Sequence, residues 1–252
     1  MTSSRRRGRD GTDAGPLSLG RYFIEVRKVS VSLLLVAPLF LFHELALRLS
    51  ESNLRNSAEL AVKKLFWYLG PGAEYVQLFL LLVMLGALLH VVAHKIPIHR
   101  LLLPFLVECL LLAVLLGPLV AALARYLPLR VPSGAEVDDL LLSVVASVGA
   151  GLYEELLFRL LLLGGLYVLF RRLCGWQWLL SLMVAVLVSA LVFSGYHHLG
   201  PDADPFEAPA FAFRALAGIL LGLGFAWRGL AVVVYLHAIY DVLFDLRQAA
   251  WF

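Results

Sequence analysis

The sequence predicts an all-α fold, a polytopic transmembrane helical bundle of about seven spans with an added amphipathic surface helix. Three observations predict it. Hydrophobic residues make up 61% of the 252-residue chain and charged residues only 15%, with a mean hydropathy of +0.86; a water-soluble chain needs far more charge to cover its surface. The apolar residues gather in runs of roughly 20, enough to cross about 30 Å of hydrocarbon. Breakers fall between the runs, at Gly70-Pro71-Gly72, Pro97, Pro128 with Pro132, Gly175, Pro201 with Pro205, and Arg228-Gly229.

Residues 1–20, rich in Arg, Ser, Gly and Thr, are expected to be a disordered basic cytoplasmic tail. Residues 21–137 read as an N-terminal transmembrane region and 138–246 as a second transmembrane domain. Spans are expected near 29–47, 73–93, 101–124, 140–169, 177–195, 208–226 and 229–246. No small-x-small cleavage site follows the first, so it reads as a retained helix and not a secretory signal. Residues 49–69 mix Arg55, Lys63 and Lys64 with Leu60, Leu65, Phe66 and Trp67, a pattern for a helix on the membrane surface. The run from 140 exceeds one crossing and is expected to open as an interfacial helix at Glu136-Val137-Asp138-Asp139. Cys109 and Cys174 form no CxxC or zinc spacing and read as structural filler.

Seven of the 21 Lys and Arg residues precede the first apolar run: Arg5, Arg6, Arg7, Arg9, Arg21, Arg27 and Lys28. Nothing downstream supplies a basic face or aromatic platform, so nucleic-acid binding is excluded and positive-inside anchoring explains the arm. With the N-terminus inside, inner segments carry 12 Lys and Arg against eight outside, and the acidic stretch Asp202–Glu207 suits an outer loop. The expectation is an integral protein of the cell (plasma) membrane with a cytoplasmic N-terminus.

Against this background, Glu154, Glu155 and Arg159 put three charges inside one apolar run. An intramembrane charge costs roughly 2.5–3.5 kcal/mol on insertion scales, so such groups are functional by default. Successive residues on an α-helix stand about 100° apart, so the two glutamates diverge around one edge. Arg159 follows Glu155 by four, the favourable order for an ion pair. Glu154 is left to face another partner and suits a general base. A second constellation is Phe193-Ser-Gly-Tyr-His197, with His198 beside it. A third is His237-Ala-Ile-Tyr-Asp241, where an acid one turn away fixes an imidazole. Three spans thus each offer an acid or imidazole that a bundle can bring together.

Other intramembrane chemistries lack their residues. His43-Glu44 is followed by Leu47 where a His-Glu-x-x-His zinc motif needs its second histidine. Gly222-Leu-Gly-Phe225 lacks the aspartate of a Gly-x-Gly-Asp site. His43, His90, His94 and His99 are read as structural.

Glu-Glu-x-x-x-Arg, Phe-x-x-x-His and His-x-x-x-Asp, in that order on successive membrane helices, resemble the CAAX prenyl endopeptidase and bacteriocin-processing family (CPBP, or "Abi"), which includes lysostaphin resistance protein A-like proteins. The resemblance spans about residues 138–246. It implies an intramembrane endopeptidase acting on a membrane-embedded or lipidated, CAAX-type prenylated peptide in the lipid bilayer, with Glu154, Glu155, Arg159, His197, His237 and Asp241 catalytic and Phe193 and His198 supporting. Asp241 fills a position that is Asn in the best-known eukaryotic members. Family mechanisms have been argued with and without metal. The expectation is no obligatory cofactor; the alternative is a divalent metal such as zinc on Glu154, His197 and His237. Two other readings of the chain are a non-catalytic scaffold of this family and a transporter with a buried charge relay.

Overall fold

The computed structural model describes residues 18–50, 57–68, 70, 72, 75–124, 140–199, 203 and 205–249, and all regular structure among them is helical. Most of the predicted tail, the expected interfacial opening at 136–139, and Asp202 and Asp204 of the acidic loop lie outside the described residues. The elements are α1 (Leu19–Val26), α2 (Val29–Leu49), α3 (Ser57–Tyr68), α4 (Val76–Ala93), α5 (Ile98–Ala124), α6 (Leu140–Glu154), a π-helical stretch (Glu155–Leu163), α7 (Gly164–Val168), a second π turn (Leu169–Leu173), α8 (Trp178–Tyr196), α9 (Ala208–Arg228) and α10 (Leu230–Ala249).

Among the described residues, five helices are long and apolar enough to cross a membrane: Val29–Leu49, Val76–Ala93, Ile98–Val120, Trp178–Tyr196 and Ala208–Arg228. The chain is an integral membrane helical bundle. The two other predicted spans are the ones that carry the charged constellations. From Leu140 the α-helix lasts 15 residues before it widens at Glu155, and Leu230–Ala249 contains Asp241, Asp245 and Arg247.

At the centre lies α10, packed against α2, α5, α6 and α9. Its first turns are buried from Leu230 to Val234. In lipid no hydrophobic force draws helices together, so close packing of small residues does much of that work. Gly151 of α6 sits directly on the backbone of Ala238; a Cβ there would meet the Ala238 nitrogen at 2.6 Å. Gly218 of α9 lies against Ala190 of α8, where a Cβ would stand 3.1 Å from the alanine. Polar clasps reinforce the α6–α10 seam, since the hydroxyls of Ser143 and Ser147 both donate to Asp245 Oδ2 at 2.7 Å.

The structure corrects three expectations. The surface helix expected over 49–69 is described from Ser57, and it is not merely laid on lipid: Ala58, Glu59 and Val62 are buried and α3 packs on α6 and α4. Leu60, Leu65 and Trp67 remain exposed. Cys109 is buried core as expected, whereas Cys174 is exposed and fills nothing. Arg228, counted among the inner loop cations, is 1% exposed. Its Nη2 donates to Glu108 Oε2 at 2.7 Å, and its guanidinium lies 4.1 Å over the Phe23 ring. The Tyr22 hydroxyl donates to the same Glu108 oxygen. Burial, then that hydrogen bond, push the Tyr22 phenol up, which keeps it the donor. One ion pair thereby docks α1 on the middle of α5 and the C-terminal end of α9.

Candidate active site

Glu154 is the last residue of α6, and Glu155 opens the π-helical stretch. π turns are rare and recur at functional sites. A π turn is wider than an α turn, so residues four apart come closer to eclipsed. Arg159 accordingly reaches straight back to Glu155, with Nη1 2.9 Å from Oε1 and both side chains buried. The Ser189 hydroxyl, from α8, donates to the Phe158 carbonyl at 2.7 Å within this stretch. Such a bond satisfies a backbone acceptor where no water is at hand.

Phe193 explains its place beside the charges. The Arg159 guanidinium lies 4.4 Å over its ring, and desolvated cation–π contacts are worth about 2 kcal/mol. The ring meets Phe158 edge-on at 5.3 Å and His197 at 4.9 Å. His197 follows α8 at its C-terminal end, and its Nδ1–H donates to the Phe193 carbonyl at 2.9 Å. That bond leaves Nε2 as the nitrogen for chemistry.

On α10, His237 faces the glutamates. Its Nδ1 lies 2.7 Å from Glu155 Oε1. Its Nε2 lies 3.3 Å from Asp241 Oδ2 and 3.8 Å from Glu154 Oε2. The orienting acid at Nδ1 is therefore Glu155 on the neighbouring helix; Asp241, expected from its spacing to orient the ring, stands at the opposite nitrogen. Glu154 is partly exposed and within electrostatic reach of His197, His237, Asp241 and Glu155. Six predicted residues thus share one patch. His198 is turned elsewhere, its ring 5.2 Å from Phe206 and 6.2 Å from Phe211.

Among the described residues, the group whose ligand atoms all lie within 4.8 Å of one another is His43, Glu44 and Glu59. An apolar groove of about 580 Å³, walled chiefly by α5, α9 and α10, contains none of the catalytic candidates.

Sequence reasoning missed two functional-looking clusters. Glu108 with Arg228 and Tyr22 joins residues up to 206 positions apart in the chain, and no local spacing marks it. Glu59 is not singled out by the sequence, and only its burial at 0% exposure marks it.

Fold and site together define a polytopic membrane protein with a buried acid–imidazole centre, the equipment of an intramembrane hydrolase. Residues 136–243 match the family described as Type II CAAX prenyl endopeptidase Rce1-like, and this stretch of the chain is a domain of that CPBP/Abi family of membrane proteases. No curated protein and no solved structure matches the chain.

Proposed function

We propose that the protein is an intramembrane endopeptidase that cleaves a membrane-embedded or lipidated peptide through Glu154 and the two histidines. The observation that carries this reading is the approach of Glu154, Glu155 and His237 across two helices inside an apolar bundle. Glu154 takes a proton from water as the water oxygen attacks the scissile carbonyl, with Nε2 of His197 helping to hold that water. The carbonyl π electrons move to its oxygen. His237, held as an imidazolium by Glu155 at Nδ1 and Asp241 at Nε2, donates its Nε2–H to that oxyanion; one well-placed donor of this kind is worth about 2.7–4 kcal/mol. Protonated Glu154 then gives its proton to the amine as the C–N bond breaks. Arg159 pairs with Glu155, and Phe193 carries Arg159.

The test is cleavage of fluorogenic prenylated and unprenylated membrane peptides by purified protein in nanodiscs. Wild type runs beside Glu154→Gln and His237→Ala, with and without chelator. Loss of cleavage in both folded variants is expected. Near-normal turnover by Glu154→Gln would overturn its role as base, and no cleavage by folded wild type would favour the scaffold reading. Silencing by chelator with recovery on added zinc would favour the metal alternative.

A further inference from the structure

We propose a second site, a buried zinc-type divalent cation site built from His43, Glu44 and Glu59, which ties α2 and α3 to α6. His43 and Glu44 lie on α2, Glu59 on α3, and all three are buried. One ligand atom from each lies within 4.8 Å of the other two. Each residue is gripped at one atom by its surroundings. His43 Nδ1 must donate to the Val145 carbonyl, 3.0 Å away, since a carbonyl only accepts. Glu44 Oε1 accepts from the Tyr153 hydroxyl at 2.8 Å. Glu59 Oε1 pairs with Lys63 Nζ at 2.9 Å. Such outer partners are what orient metal ligands and fix the imidazole tautomer.

The decisive contact is the other ring nitrogen. Nε2 of His43 faces Glu59 Oε2 at 3.5 Å, with both side chains buried. Zinc bonds to nitrogen and carboxylate oxygen are about 2.0–2.2 Å, so two ligands of a tetrahedral ion stand about 3.3–3.6 Å apart. The His43–Glu59 separation is that edge. One imidazole with two carboxylates suits zinc better than magnesium or calcium, which favour all-oxygen shells. Leu47, which denies His43-Glu44 the one-helix zinc motif, is irrelevant here, because the third ligand comes from α3. Gly149 fits the same picture: a Cβ there would meet His43 Cε1 at 2.3 Å, so the ring sits tight against α6.

This site stands independently of the catalytic reading, and it is tested in a background that disables the catalytic centre. Full-length Glu154→Gln/His237→Ala protein in detergent is stripped with chelator, given zinc alone, desalted and analysed for metal per chain. About one zinc is expected, with a zinc-edge X-ray absorption spectrum showing one imidazole, and melting raised by the metal. Adding His43→Ala or Glu59→Gln should weaken retention at least tenfold. Glu44→Gln is the milder variant should those two misfold. Less than 0.1 zinc per chain in the background protein, an absorption spectrum without imidazole, or unchanged retention in a folded ligand variant would overturn the proposal and leave a proton shared by His43 and Glu59.

Discussion

Nδ1 of His237 and Oε1 of Glu155, 82 residues apart in sequence, are 2.7 Å apart across the α6–α10 seam. That one contact decides which way the imidazole faces, because a nitrogen held by Glu155 turns the opposite nitrogen toward Glu154 and Asp241.

Replacing Glu154 by Gln keeps the shape and removes the base. Turnover should fall by roughly 10²–10⁴-fold, the ordinary contribution of general base catalysis. Melting in detergent should be nearly unchanged, since the side chain is partly exposed and bears no ion pair to Arg159. Peptide cleavage and thermal melting on one preparation check both halves.

Glu155 should behave differently. Glu155→Gln leaves Arg159 buried with its counter-ion gone, a change that typically costs about 3–5 kcal/mol. Melting and activity should fall together. Combining it with Arg159→Met should restore much of the stability and none of the turnover, because His237 still lacks its acid. A double variant that regained activity would remove Glu155 from the positioning of His237.

Gly151→Ala probes the seam with no change of charge. Its new Cβ would meet Ala238 backbone at 2.6 Å, and backbone does not yield as a side chain would. Overpacking of this kind costs about 1–3 kcal/mol. The helices that carry Glu154 and His237 must move apart, so kcat should drop more than melting alone explains. Steady-state kinetics on the folded fraction measures it.

The two adjacent histidines should separate cleanly. His197→Ala should lose most turnover, whereas His198→Ala should stay within a few-fold of wild type, since the His198 ring lies on Phe206 and Phe211. Equal losses in the two variants would place His198 in the chemistry.

Glu108→Gln addresses stability away from the site. It strips the buried Arg228 of the carboxylate it shares with Tyr22. The expected loss is again about 3–5 kcal/mol, read as a lower melting temperature, with turnover per folded molecule unchanged.

The sequence by itself determined that the chain is a helical membrane protein, and it exposed Glu154, Glu155, Arg159, Phe193, His197, His237 and Asp241. Charges grouped at helical spacing inside an apolar run stand out, because charge in lipid is costly and i,i+4 spacing is a local property. Only the tertiary structure decided which groups meet. Glu155 rather than Asp241 holds His237 at Nδ1, because a contact between helices depends on how Gly151 lets α6 close on α10, and no spacing within one helix encodes that. The same holds for Glu59 beside His43 and for Glu108 beside Arg228. Each was legible as a residue, yet its partner lies on another helix, and burial alone turned an ordinary surface charge into part of the core.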